Sequence, residues 1–263
     1  MTILDKIVAR KREEVEQARQ KVPVEVLEAE AYFQRDPLSF REFLLAPERT
    51  GIIAEFKRRS PSKGLINGTA VVEEVTKAYA DAGASALSVL TDIDFFGGSA
   101  YDLVAARGAN TIPVLRKDFM IDTYQLIEAK ALGADIILLI AAILSPKEID
   151  TLASFAKGLG LNVLLEVHSQ EELQRSINKH VDAIGVNNRN LADFTVNIQT
   201  SFDLVDQIPS DFLKISESAI SEASTIKSLK EAGFNGFLIG ENFMKTDDPG
   251  QAIQDFVREL KSV

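Results

Sequence analysis

Leu132-Gly133-Ala134-Asp135-Ile136-Ile137-Leu138-Leu139-Ile140 contains the repeating unit of the whole chain. An amphipathic run ends at a glycine, and an apolar run of strand length begins at once. Glycine just past a helix accepts a left-handed backbone and lets the chain double back. The segment therefore reads as helix, turn, buried strand. The unit recurs: Gly83, Gly108, Gly133 and Gly160 lie 25, 25 and 27 residues apart, and Gly233 rejoins the series before Gly236-Phe237-Leu238-Ile239.

On either side of that segment, strand-like runs fall near 51–57, 84–90, 111–117, 135–140, 161–167, 181–187, 211–217 and 235–240. Helical patterns lie between them near 69–82, 99–107, 122–132, 145–158, 169–178, 198–208, 220–232 and 249–261. Strict alternation builds a parallel sheet covered by helices, and eight units are the number that closes it. The expected fold is α/β, a (β/α)8 TIM barrel with an N-terminal helical extension, with an open doubly wound sheet as its rival. The expected organisation is one domain, with residues 1–50 as the extension and 51–263 as the barrel. In the extension, Ile3, Ile7, Val15, Ala18 and Val22 recur at roughly helical spacing, which predicts an amphipathic helix packed on the barrel. The alternative is a disordered or partner-binding arm. A second short helix is predicted over Phe40 to Leu45, and Ser145-Pro146-Lys147-Glu148 is a capping-box start for the fourth barrel helix.

The 263 residues, 46% of them hydrophobic, supply one sizeable core. A net charge of −10 sets the chain against nucleic acid and anionic membranes, so an anionic ligand needs a local basic site. Without cysteine there is no thiol catalysis, disulfide or thiolate metal site, and a cytoplasmic setting is expected. The longest apolar run, Ile136 to Leu144, is nine residues, well short of the roughly 20 that span a bilayer. Two histidines, His168 and His180, at opposite ends of their strands, make neither a three-histidine metal site nor a Ser-His triad. The expected oligomeric state is a monomer, with a weak homodimer as the alternative.

The chemistry sits where strands end. A parallel sheet is buried on both faces, so ionisable groups belong at strand ends, where water or a ligand can reach them. Glu55 and Lys57 are two apart and point to one face, the barrel interior near its C-terminal mouth. Four cations, Lys57, Arg58, Arg59 and Lys63, fall within seven residues of the loop that follows. Lys117 ends the third strand; among other cations its pKa is expected to be depressed, which suits a proton donor near neutrality. Glu166 ends the fifth strand among apolar neighbours, where its pKa is expected to rise into the range of a base. His168 reads as a rim or helix-start residue. Asn187 and Arg189 follow strand six, and Glu217 and Ser218 follow strand seven, groups that orient carboxylates, hydroxyls or phosphates. Ser218-Ala219 and Gly240-Glu241, after strands seven and eight, are the phosphate-site candidates, because barrels of this kind hold phosphate there on backbone N–H groups.

These segments resemble a family. Ala54-Glu55-Phe56-Lys57-Arg58-Arg59-Ser60-Pro61-Ser62, Leu90-Thr91-Asp92 with Phe95-Phe96-Gly97-Gly98-Ser99, Leu115-Arg116-Lys117-Asp118-Phe119, Leu165-Glu166-Val167-His168, Gly185-Val186-Asn187-Asn188-Arg189-Asn190-Leu191, Ser216-Glu217-Ser218 and Leu238-Ile239-Gly240 resemble, in order, the motifs of indole-3-glycerol-phosphate synthase. The resemblance implies ring closure, decarboxylation and dehydration of 1-(2-carboxyphenylamino)-1-deoxyribulose 5-phosphate in tryptophan biosynthesis, without cofactor or metal. It further implies Lys117 as general acid, Glu166 as the group handling the proton of dehydration, and Lys57 on the substrate's carboxylate or phosphate, sharing proton transfer with Glu55. Asn187, Arg189, Glu217 and Ser218 complete the polar shell, Ser60 joins the substrate-binding set, and Phe96, Phe119 and Leu138 hold the anthranilate ring. One departure stands out: Ala219 occupies the position of the family's common glycine. The alternatives are a phosphoribosylanthranilate isomerase-like barrel and a non-catalytic phosphate-ligand binder on the same scaffold.

Overall fold

The computed structural model describes residues 2–190 and 194–262, so Leu191 of the sixth motif lies outside the described residues. Eight strands close into a barrel: β1 (Ile52–Phe56), β2 (Ala86–Leu90), β3 (Val114–Lys117), β4 (Ile136–Ile140), β5 (Asn162–Val167), β6 (Ala183–Asn187), β7 (Leu213–Glu217) and β8 (Gly236–Ile239). Each pairs in parallel with its sequence neighbours, and β1 closes the ring with β8 through Ile52↔Phe237 and Ala54↔Ile239. The doubly wound alternative is thereby excluded.

Strand alternation sorts the side chains into two cores. Ile53, Ala86, Leu115, Leu138, Leu164, Ala183, Ile215 and Leu238 fill the interior, while Ala54, Leu87, Val114, Ile137, Leu165, Ile184 and Phe237 face the surrounding helices. The reversing glycines behave as their positions after helices require: Gly83, Gly133, Gly160 and Gly233 have φ of 99°, 92°, 80° and 107°. Gly108 departs from the pattern. It lies inside the helix Ala100–Ala109, which ends instead at Asn110, so that turn is built without a left-handed residue.

The N-terminal helix runs from Ile3 to Lys21 and starts with a capping box between Thr2 and Asp5. Its first half crosses the C-terminal mouth, where Ile7 joins the interior core beside Phe119, and its second half packs Val15, Ala18 and Val22 on Tyr124 and Ile127. The short helix Phe40–Leu45 plugs the opposite end. Phe40 and Leu44 are 1% and 3% exposed in the same interior core. Burial of side chains of this size is worth about 1.5–3 kcal/mol each. The helix Val24–Glu28 and a hairpin of Arg59–Ser60 with Gly64–Leu65 have no counterpart in the sequence patterns, being too short for periodicity to register. No helix among the described residues is long and apolar enough to cross a membrane.

Candidate active site

Strand parity carries Glu55, Lys117, Glu166, Asn187 and Glu217 inward at the C-terminal mouth, with Lys57 just beyond β1. They line a cavity whose other walls include Phe96, Phe119, Leu138 and Ile3, Leu4 and Ile7 of the N-terminal helix.

Lys117 sits at the centre of the ionised groups. Its Nζ is 2.8 Å from Glu166 Oε2 and 3.0 Å from Glu217 Oε2. Lys57 Nζ is 2.7 Å from Glu55 Oε1. The surroundings of Lys117 are thus anionic, and the expected depression of its pKa is corrected. Burial alone would lower it, but Glu166, Glu217 and Glu55 outweigh burial and raise it. The neighbouring cation Arg116 points the other way, into the helix layer, to Asp118 at 3.2 Å and Glu128 at 2.7 Å.

The two carboxylates beside Lys117 are pushed apart. Burial would raise Glu166, yet Lys117 and His168 hold its pKa below the ordinary range, correcting the expected upward shift. Glu217 is the one raised, to about 7, by burial and by the charges of Glu166 and Glu55 against the pull of Lys117. The site therefore pairs an ionised Glu166 with a Glu217 that exchanges its proton near neutrality. Two glycines make room for these side chains. A Cβ on Gly185 would collide with Glu217 Oε1, and one on Gly240 would lie 2.7 Å from Glu55 Oε1.

His168 does more than start a helix. Its Nε2 is 3.3 Å from Glu166 Oε1 and its Nδ1 3.2 Å from Glu172 Oε2, so it braces Glu166 from the side opposite Lys117. Burial would lower its pKa, but the two carboxylates raise it to about 10. A histidine raised in the folded state stabilises fully below its ordinary pKa of 6.5, and that contribution is lost as pH rises through about 10. The melting temperature should therefore fall between pH 7 and 10, and His168→Gln should flatten that slope. An unchanged slope would show that the imidazolium pairs contribute nothing.

A second cavity adjoins the first and is lined by Lys57, Arg189, Ser218, Ala219, Gly240, Glu241 and Lys245. Ser218 and Ala219 have φ of 66° and 63°, so Ala219 adopts the left-handed backbone that a glycine there would take. Arg189 Nη2 is 3.2 Å from Glu241 Oε2, and Lys63 Nζ is 3.6 Å from Glu241 Oε1. Of the cation-rich loop, Lys57 and Ser60 line the first cavity. Arg58 turns away to Asp102 at 2.6 Å and stacks on Phe56. Phe96 and Phe119 bring their ring centroids to 5.9 Å. All fifteen sequence-derived candidates thus fall in the two adjoining cavities. Among the described residues no cluster of three or more His, Cys, Asp or Glu side chains could hold a metal ion.

The sequence profile of the indole-3-glycerol phosphate synthase family matches residues 4–256. The chain belongs to that family. Among relatives of the synthase family, one named indole-3-glycerol phosphate synthase from Bacteroides thetaiotaomicron is 49% identical over 98% of this chain and 99% of its own length. Another of that name, from Burkholderia vietnamiensis, is 44% identical over 95% and 97%. Among solved structures, the tryptophan synthase subunit alpha of Legionella pneumophila superposes with a TM-score of 0.62 at 15% identity, covering 85% of this chain and 98% of its own. At that identity the likeness shows the barrel fold alone.

Proposed function

We propose that Lys117, held between Glu166 and Glu217, is the general acid of this family's reaction, and that Glu166 is its base. The chain is a carboxy-lyase of tryptophan biosynthesis, acting on 1-(2-carboxyphenylamino)-1-deoxyribulose 5-phosphate. The ring carbon that bears the carboxylate attacks the ketone carbon. The oxygen that becomes an alkoxide is far more basic than an amine, so even a lysine of raised pKa delivers its proton there, and its charge stabilises the developing anion beforehand. Carbon dioxide then leaves, and loss of the new hydroxyl as water requires a proton from an acid while Glu166 takes up the proton released from the ring system. Lys57, paired with Glu55, contacts the substrate's carboxylate or phosphate and shares in proton transfer. Glu217, titrating at about 7, passes protons to and from Lys117.

The supporting observation is the ion cluster of Lys117, Glu166 and Glu217 set between an apolar wall and a cation-lined recess. Phe96, Phe119 and Leu138 hold the anthranilate ring, with Ser60 and Asn187 at its polar edge. The phosphate goes to the recess, on the backbone of Ser218, Ala219, Gly240 and Glu241, with Arg189 and Lys57 as countercharges. The chain is read as a cytoplasmic monomer, with a weak homodimer as the alternative. Turnover of this substrate by the purified protein tests the assignment, and removal of the Lys117 amine tests the roles.

Ala219 takes the left-handed backbone in spite of its methyl group. A left-handed alanine costs about 1–2 kcal/mol, whereas glycine costs about 0.4–1 kcal/mol through the unfolded chain. Ala219→Gly should therefore stabilise the fold by up to about 1 kcal/mol. Thermal melts check this, and a lower melting temperature would contradict it.

A further inference from the structure

The N-terminal helix buries three residues one turn apart, and the middle one is charged: Ile7, Lys11 and Val15. Lys11 is 4% exposed. Its Nζ lies 2.9 Å from Asp118 Oδ1, 3.0 Å from Asp92 Oδ2 and 2.6 Å from Glu14 Oε2. A buried ion cluster is weak as a source of stability, because desolvation offsets most of its attraction. What it secures here is geometry. Asp92 follows β2, and its Oδ1 accepts from the backbone N–H of Phe95 at 2.8 Å and of Phe96 at 3.2 Å. Asp118 follows β3, and its Oδ1 accepts from the backbone N–H of Phe119 at 2.8 Å. One ammonium group therefore binds the two carboxylates that hold the backbones of the two facing rings, Phe96 and Phe119. On its far side Asp118 is secured by Thr91 Oγ1 at 2.6 Å and Arg116 at 3.2 Å, so Lys11 completes a bracket already rigid on the barrel side.

We propose that Lys11 is a positioning residue for recognition of the substrate's aromatic ring: it sets the spacing of Phe96 and Phe119 by clamping Asp92 to Asp118 beneath the N-terminal helix. This rests on the reading of those two rings as the wall for the anthranilate group. It assigns the N-terminal helix a part in ring selectivity, through a residue that touches neither the substrate nor the reacting atoms.

The test is titration of two ligands into the wild type and Lys11→Met. Indole-3-glycerol phosphate needs both the aromatic wall and the phosphate recess, whereas inorganic phosphate needs only the recess. Loss of a well-set aromatic contact weakens binding by about tenfold, so Kd for indole-3-glycerol phosphate should rise by about that factor while Kd for inorganic phosphate stays within about twofold. In turnover, KM should rise by a larger factor than kcat falls. Equal weakening of both ligands, or an unchanged affinity for the ring-bearing one, would overturn the proposal. If Lys11→Met does not fold, the double variant Lys11→Met with Asp92→Asn is read the same way, since it strands one charge fewer and the amide oxygen still accepts from Phe95 and Phe96. Failure of both to fold would make Lys11 a residue of the fold alone and overturn the proposal. A wild type that does not bind indole-3-glycerol phosphate would instead sink the site assignment beneath it.

Discussion

Lys117→Met should lower kcat by about 10²–10⁴, the usual worth of a general acid, with a smaller change in KM. The size follows from position. Lys117 Nζ stands 2.8 Å and 3.0 Å from two carboxylates, with Glu55 the third contributor to its raised pKa, and among the described residues no other lysine pairs with Glu166 or Glu217. Methionine keeps the volume of the stem and removes the charge. Glu166 and Glu217 would then face one another without a cation between them, and Glu217, already at about 7, would hold its proton more tightly, so the fold can absorb the change by neutralising one carboxyl. Steady-state kinetics with a melting curve check both halves. A variant keeping more than about a third of wild-type kcat, with chemistry limiting, would remove Lys117 from the acid role.

Glu166→Gln should cost a similar factor, about 10²–10⁴ in kcat, because the amide cannot take up a proton. Its shape is retained, so circular dichroism and product affinity should be close to wild type. A second consequence follows from the coupling of the two carboxyls. The charge of Glu166 is one of the causes that raise Glu217 to about 7, so in the variant Glu217 should titrate at lower pH, readable from its carboxyl carbon by NMR. Loss of fold in this variant would assign Glu166 to structure and contradict its role as base.

Much of the barrel was legible because it rests on patterns that survive in one dimension. Glycine after a helix, strict alternation of element types and polar strand ends gave all eight strands within a few residues, and the shared face of Glu55 and Lys57 followed from their spacing. The electrostatics were not legible. Arg116 and Lys117 are adjacent in sequence yet point to opposite sides of the sheet, so sequence proximity suggested cations around Lys117 where the fold supplies carboxylates from β1, β5 and β7. The same long-range pairing reversed the expectation for Glu166 and left Glu217 as the carboxyl with the raised pKa. His168 was underrated because its partners, Glu166 and Glu172, become neighbours only once a strand end and a helix start are folded together. Lys11 did carry a signal: a lysine four residues from Ile7 and four from Val15 interrupts an apolar stripe, and a charge on a buried face needs partners. Which partners those are depends on the placement of the helix across the mouth.

The most direct measurement is to incubate the purified chain with 1-(2-carboxyphenylamino)-1-deoxyribulose 5-phosphate in the presence of a chelator, recording indole absorbance and released carbon dioxide together. The expected result is indole-3-glycerol phosphate and carbon dioxide in equal amounts, at a rate that falls in step with the loss of kcat in Lys117→Met. Binding of the substrate without turnover, or carbon dioxide released without indole, would contradict a site in which Lys117 protonates the ring-closing carbonyl.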